Sequence, residues 1–411
     1  MKHKFLFLTI IFLLLTSCDS TIYEIPENHN QITTKQDYHI SDAEFTFDAS
    51  DDRAVNTINY KLFTSGNIRY YDGAMYMTSG GMVYRYDIED GGVIPLCIDP
   101  LCMHSDADCP FYGIAHGYIF IHNNKIYYKR NYNELITDAV GIVKDVIQKR
   151  ECVCFDIAKQ ELKLLDTWEH GTSIESEFFS GDYRYYLNTI VGDDNALTFS
   201  INRESLENGK IEVLRDMGEW IAGILFVDGD TVYLSDGTGI YRFSVNETKA
   251  PELVCLGSYG VIGYSDGNFY AQKDREIVCI QADSGNITVL HTSNFDIDDL
   301  CMTQDYFYFR PKEKISYGRF NSLNAGQEIF YPKSDIYRIP VSGGDAELIY
   351  SLPEEMKHYI LGNFVVDGNY LYAQWCYYNT ETGEYFESWN HAEYDYMRVD
   401  IRNGDVYYID E

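Results

Sequence analysis

From about Asp42 to Glu411 the chain alternates short apolar runs, rich in Tyr, Val and Ile, with Asp-Gly or related turn pairs. Alternation of period two is the signature of half-buried strands, and a tight polar pair between two such runs joins them into a hairpin. One recurring element is a turn followed by an aromatic strand. It reads Asp72-Gly73 before Ala74-Met75-Tyr76, Asn123-Asn124 before Ile126-Tyr127-Tyr128, Asp228-Gly229 before Val232-Tyr233, Asp266-Gly267 before Phe269-Tyr270, and Asp367-Gly368 before Leu371-Tyr372. Gly181-Asp182 before Tyr183 and Asp305 before Tyr306-Phe307-Tyr308 are looser copies. A second element follows each first one: an apolar residue, Arg or a small residue, then another apolar residue. Its copies are Tyr84-Arg85-Tyr86, Val153-Cys154-Phe155, Leu197-Thr198-Phe199, Tyr241-Arg242-Phe243, Val278-Cys279-Ile280, Tyr337-Arg338-Ile339 and Met397-Arg398-Val399. A turn and a further strand close the unit, as in Gly285-Asn286-Ile287-Thr288-Val289-Leu290.

Each unit therefore holds three visible strands and room for a fourth, and units recur roughly every 40 to 60 residues, the range of propeller blades. The pattern predicts an all-β chain: a β-propeller of about seven four-stranded blades over residues 42–411, with six or eight blades as alternatives. A pair of β-sandwiches is the competing fold, but it does not explain a repeat that continues to the C-terminus. One stretch departs from the strand period. Ile136, Ala139, Val140, Val143 and Ile147 fit a short amphipathic helix within Leu135 to Lys149.

The first residues carry a different signal. Lys2 and Lys4 precede an unbroken apolar run, Phe5 to Leu15, and the small residues Thr16 and Ser17 lead to Cys18. The run is shorter than the ~20 residues that span a bilayer, so it reads as a signal peptide. Leu15-Thr16-Ser17-Cys18 resembles the lipobox of bacterial lipoproteins. The resemblance implies cleavage before Cys18, lipid on its sulfur, and an extracytoplasmic protein anchored to the bacterial cell membrane. Residues 18–41 are polar, acidic and without period, and read as a flexible tether.

The net charge is −32, and loss of residues 1–17 with Lys2 and Lys4 takes it to −34. Such a surface repels phosphate backbones, which excludes nucleic acid as a partner. The 15% aromatic content is that of a folded chain rather than a disordered one.

The repeat written Ile336-Tyr337-Arg338-Ile339 is similar to that of uncharacterised bacterial surface lipoproteins whose propellers are related to the Tyr-Trp-Thr-Asp receptor type. The resemblance covers most of the mature chain, implies the propeller fold, and implies no activity.

Strand order locates a candidate binding face. With strands A to D per blade and A innermost, B–C turns and D-to-A connections emerge at one face of the disc, and A–B and C–D turns at the other. Asn123 to Cys154, Asp305 to Arg338 and Asp367 to Arg398 are more than twice as long as their counterparts. All three are B–C connections, and insertions gathered on one face of a repeat protein often mark its binding face. The third carries Trp375, Tyr377, Tyr378, Tyr385, Trp389, His391 and Tyr394 among amides and carboxylates. Flat rings beside polar groups suit sugar rings or peptide side chains; rings that merely extend the blade hairpin are the plainer reading. Cys97, Cys102, His104 and Cys109 fall in the connection from blade one to blade two, on the same face. Three thiolates and an imidazole make a complete tetrahedral Zn²⁺ set, which would be structural. A disulfide with one residual thiol is the alternative outside the cytoplasm, and similar Cys-x-Asp-Pro-x-Cys-x-His loops occur in the lipoproteins named above. The acid clusters Asp193-Asp194-Asn195 and Asp296-Ile297-Asp298-Asp299 have the composition of Ca²⁺ loops, but an acidic chain produces such clusters by chance.

No G-x-S-x-G, H-E-x-x-H, P-loop or dinucleotide-binding motif is present. The sequence therefore points to a lipid-anchored binding or scaffold module for a glycan, peptide or partner protein. The alternatives are a hydrolase or lyase on envelope or dietary polymers, and a metal or redox accessory protein using the Cys-His loop.

Overall fold

The structure, a computed structural model, describes residues 68–409 apart from short stretches, the longest being 317–327 and 386–394. The chain divides into Met1–Thr46 and Phe47–Glu411, and every described residue belongs to the second unit. The expected signal peptide, Cys18 and the tether lie outside the described residues.

Thirty strands and no helix make up the described residues. Blade one is β1 (Ile68–Tyr71), β2 (Ala74–Ser79), β3 (Met82–Asp87) and β4 (Val93–Pro95). Blade two is β5 (Ile114–His122), β6 (Lys125–Thr137), β7 (Val143–Asp156) and β8 (Glu161–Glu169). Blade three is β9 (Thr172–Ser180), β10 (Tyr183–Val191), β11 (Leu197–Ser205) and β12 (Ile211–Gly218). Blade four is β13 (Gly223–Asp228), β14 (Thr231–Ser235), β15 (Gly239–Ser244) and β16 (Glu252–Leu256). Blade five is β17 (Gly260–Ser265), β18 (Asn268–Lys273), β19 (Glu276–Gln281) and β20 (Ile287–Thr292). Blade six is β21 (Asp296–Met302), β22 (Tyr306–Ser316), β24 (Ile336–Pro340) and β25 (Glu347–Tyr350), with β23 (Glu328–Pro332) paired to β22. Blade seven is β26 (Tyr359–Asp367), β27 (Tyr370–Asn379), β29 (Asp395–Asp400) and β30 (Val406–Ile409), with β28 (Glu384–Tyr385) paired to β27. Every blade takes its strands in chain order, all antiparallel. First strands of neighbouring blades pack together, β9 on β13 and β21 on β26 among them, and β26 meets β1 to close the ring. The chain is a seven-bladed β-propeller.

Turn chemistry sets the register. Asn123 and Asn124 (φ 49° and 60°) and Asp266 and Gly267 (φ 50° and 74°) occupy two-residue A–B loops with both φ positive, the type I′ turn whose twist matches that of the strands. Pairing explains the repeat itself. In all seven blades a strand-B tyrosine faces the centre of strand C: Tyr76↔Arg85, Tyr127↔Cys154, Tyr185↔Arg203, Tyr233↔Arg242, Tyr270↔Cys279, Tyr308↔Arg338 and Tyr372↔Arg398. The arginine then reaches an acid on strand D, as in Arg203–Glu212 (2.7 Å) and Arg338–Glu347 (2.8 Å). It also lies over a strand-B ring, 4.6 Å for Arg203 on Tyr183 and 4.8 Å for Arg398 on Tyr370. The recurring arginine is thus a blade-building residue.

Two sequence expectations are corrected. The blade-three copy at Leu197-Thr198-Phe199 is out of register, because the residue opposite Tyr185 is Arg203. The helix within 135–149 does not form: Leu135 to Thr137 end β6, and Val143 to Lys149 belong to β7. A bulge places Tyr132 opposite Lys149 but Asn133 opposite Ile147. Val143 and Ile147 are four residues apart, a spacing that places both on one face of a strand as it would on one face of a helix, so the pattern does not separate the two.

The core runs between blades. Phe226 of blade four stacks on Tyr264 of blade five at 4.3 Å, and Tyr264 meets Phe269 at 4.9 Å. Fully buried rings such as Phe269 and Phe307 each contribute about 1.5–3 kcal/mol. First strands also carry bulges, for example between Ile224 and Phe226 and between Ile297 and Asp299. Asp299 accepts a 3.3 Å hydrogen bond from the Phe364 amide of the next blade.

Candidate metal centre and loop-decorated face

In a four-stranded meander the B–C turns and the D-to-A connections share one end of the strands. Because all seven blades run A to D in chain order, these connections form one face of the ring. B–C turns are short in blades one, four and five: Ser79 to Met82, Ser235 to Gly239 and Lys273 to Glu276. In blade two the hairpin is drawn out by paired extensions of β6 and β7, from Lys129↔Cys152 to Thr137↔Val143. In blades six and seven β23 and β28 lie within the same connection. The three long insertions therefore belong to blades six, seven and two, neighbours around the ring except for blade one between them.

Of the aromatic candidates in blade seven, Trp375, Tyr377 and Tyr378 lie on β27 and Tyr385 on β28, with Tyr378 paired to Tyr385. Their side chains, and Trp389, His391 and Tyr394 altogether, lie outside the described residues.

The cysteines come together at the gap beside blade one. Cys97 follows β4 after Leu96, whose amide donates to the Val83 carbonyl at 2.9 Å. Cys97 and Cys109 are buried in one core cluster with Tyr76, Val83, Phe111 and Tyr128, and Cys102 packs against it. Phe111 wedges this connection into blade two, 5.0 Å from Phe155 and 5.6 Å from Tyr128. The Sγ atoms of Cys97, Cys102 and Cys109 all lie within 4.8 Å of one another. Tetrahedral thiolates on Zn²⁺ at ~2.3 Å sit roughly 3.8 Å apart, so small side-chain shifts would seat an ion. The trio can hold a metal ion. Burial pushes the Cys109 thiol up to about 12, and hydrogen bonds with Cys102 and Cys97 add to the rise. His104 lies outside the described residues.

The other half of this face, over blades three to five, is low and apolar. Ile190, Val191 and Leu197 at the blade-three hairpin, Ile221 and Phe295 in D-to-A connections, and Leu256 at the end of β16 are exposed. Leu256 is 69% exposed and Ile221 54%. At the opposite end, among the described residues, Tyr183, Ile211 and Ile287 begin their strands and Leu162, Leu253 and Leu348 stand one residue in, all exposed. The turn of blade four is fixed by Asp236, which accepts from the Thr238 and Gly239 amides and from the Trp220 indole at 3.1 Å. Partial burial alone would raise the Asp236 pKa, but these donors hold it below the usual carboxylate range.

The sequence reading missed a buried ionic group between blades two and three. Arg184 on β10 is fully buried. Its Nε donates to Glu177 of β9 at 2.8 Å, and its Nη1 lies 3.0 Å from Glu204 of β11. Lys129 of β6 reaches Glu177 at 2.7 Å and the Ile174 carbonyl at 2.8 Å. Alternating charged and apolar residues in a strand read as a solvent face, and nothing in the sequence brings Lys129 and Arg184 together. The Asp296–Asp299 run holds no cation cage: Asp296 pairs with Arg275, Asp298 with Arg310, and Asp299 with backbone amides. Asp193 and Asp194 lie outside the described residues.

No family model matches the chain, and no curated protein matches it. Among solved structures it is similar to the β-propeller domain of the trilobed protease from Pyrococcus furiosus, at 10% identity over 84% of this chain and 97% of that one, TM-score 0.49. It is also similar to oligogalacturonate lyase from Vibrio parahaemolyticus, at 10% identity over 79% and 88%, TM-score 0.48. An uncharacterized protein from Listeria monocytogenes matches at 8% identity over 84% and 95%, TM-score 0.45. The class of the chain rests on its own strand pairing: a seven-bladed propeller with one elaborated face.

Proposed function

We propose that this chain is a lipid-anchored extracytoplasmic binding or scaffold module that engages a peptide, glycan or partner protein through its loop-decorated face. The observation that carries the reading is the asymmetry of the disc. Long insertions and the exposed apolar residues of the D-to-A connections, Ile221 and Phe295, share one face, and exposed apolar side chains beside elaborated loops support an interaction site there. The anchor follows from Leu15-Thr16-Ser17-Cys18, with lipid on Cys18 holding the protein at the membrane and residues 18–41 as tether. Within this reading Cys97, Cys102 and Cys109, with His104 as fourth ligand, hold a structural Zn²⁺. Four protein ligands leave no open position for chemistry, so the ion would staple the blade one–two connection.

The test uses the immobilised full chain and solubilised envelope material. Variants Ile221→Glu and Leu256→Glu should lose retained glycan, peptide or protein, whereas Ile287→Glu on the outer strand of blade five should not. Equal retention by all three variants would sink the reading.

A further inference from the structure

The low half of the decorated face has a chemistry of its own. Ile190, Val191, Leu197, Ile221, Leu256 and Phe295 present aliphatic and aromatic surface to water. Five of these six side chains are aliphatic and offer a sugar neither a flat stacking ring nor a hydrogen bond; Phe295 is the one ring among them. Trp220 is not free to serve as such a platform. Its indole N–H is committed to Asp236, and its ring packs edge-on against Tyr241 at 5.0 Å. Around the apolar residues, at the same end of blades three to five and the start of blade six, stand Asp216, Glu219, Asp236, Asp274, Glu276 and Asp296. The bases there are Lys273 and Arg275. Arg275 is taken up by Asp296 at 2.5 Å, and Lys273 lies over the Tyr259 ring at 5.5 Å. Carboxylates thus outnumber bases threefold beside an unfilled apolar surface, on a chain whose net charge is −32.

We infer that the low half of this face docks a polypeptide segment carrying both basic and apolar side chains, an amphipathic cationic peptide. The inference rests on the decorated-face reading and narrows it to one partner class. Lys or Arg on the incoming segment meets the acidic rim, and Leu- or Phe-like side chains cover Ile221, Leu256 and Phe295. The described parts of the long insertions, the β6–β7 extension, β23 and β28, belong to blades two, six and seven and not to blades three to five. An anionic partner is repelled, and a cationic partner without apolar residues leaves the apolar surface wet. Specificity of this type needs the repulsive element as well as the attractive one.

The experiment measures binding of three short helical peptides, Leu/Lys, Leu/Glu and Gln/Lys, to the full chain by fluorescence anisotropy at low and high salt. Leu/Lys should bind at least about tenfold tighter than either other peptide, about 1.4 kcal/mol, and weaken as salt screens the rim. Ile221→Lys with Leu256→Lys should cost at least tenfold in affinity. Both positions are exposed, so the fold is kept, and circular dichroism verifies this. Glu219→Gln with Asp274→Asn should reduce the salt dependence. Ile287→Lys, 45% exposed on the outer strand β20, should change nothing. Equal binding of Leu/Lys and Leu/Glu, or of Leu/Lys and Gln/Lys, overturns the partner class and leaves the face reading to its own test. An equal loss in Ile287→Lys overturns both, since the site would then not be on this face.

Discussion

Arg184 and Glu177 form a fully buried ion pair across the first hairpin of blade three, with Nη2 and Nε at 2.5 Å and 2.8 Å from the same carboxylate oxygen. Taking two charges out of water is costly, and the pair persists because Lys129 and Glu204 complete the charge balance from neighbouring strands. Replacing Arg184 with Met leaves Glu177 to Lys129 alone and takes from Glu204 its arginine in the joint between blades. The expected loss is about 3–5 kcal/mol, as for other broken buried pairs. Denaturant titration of Arg184→Met measures it, and Arg184→Met with Glu204→Gln should recover part, since Glu177 keeps Lys129. A loss below about 1 kcal/mol would show that water enters the joint and solvates the remaining acids.

The same group gives an acid-dependent stability with two opposing parts. Burial pushes the Glu177 pKa up, but Lys129 and Arg184 outweigh it and hold the carboxyl below its ordinary value. Its contribution is present above the unfolded pKa and is lost as pH falls through the lowered folded pKa. Glu204 goes the other way. Burial raises it, the Asp166 charge adds to the rise, and Arg184 offsets only part. Its contribution is present below the unfolded pKa and is lost as pH rises through the raised folded pKa. Glu204→Gln removes that second part, so relative to the parent its melting temperature should improve as pH rises from about 4.3, the ordinary Glu value. Melting curves that stay parallel across pH would contradict this assignment.

Much of the fold was legible because the repeat joins two local rules that agree. Asp-Gly and Asn-Asn pairs fix the hairpins, and alternating Tyr, Val and Ile fix the strands. The Tyr372–Arg398 type of pairing was half visible: the arginine stood out, but its partners on strands B and D become neighbours only through register. In β11 Arg203 is flanked by Asn202 and Glu204, so the apolar–Arg–apolar pattern is missing there, and sequence chose Thr198 where pairing chose Arg203. Where Val143 and Ile147 stood four residues apart, a spacing shared by one strand face and one helix face, sequence read a helix. The convergence of Cys97, Cys102 and Cys109 was legible from short spacings. The Lys129–Glu177–Arg184 group was not, since it joins three strands of two blades and charged residues carry no sequence mark of burial.

The cysteine trio gives a prediction about metal. Thiolates, not thiols, bind Zn²⁺, and burial leaves Cys109 protonated at neutral pH until an ion displaces the proton. Protein purified without chelator should contain about one zinc per chain, and uptake by the stripped protein should release protons and strengthen with pH. Cys102→Ser, the least buried of the three, should lose the metal yet keep the propeller. Absence of metal together with a mass two hydrogens below the fully reduced chain would assign the site to a disulfide instead.

The central claim is that one face of the disc does the binding. Photocrosslinking in the native host tests it most directly, with a photoreactive residue placed in turn at Ile221, Leu256 and Phe295 on the decorated face and at Tyr183 and Ile211 at the other end. The account predicts discrete crosslinked species from the first three positions and none from the last two. Crosslinks of equal yield from both ends, or from Tyr183 and Ile211 alone, would contradict it.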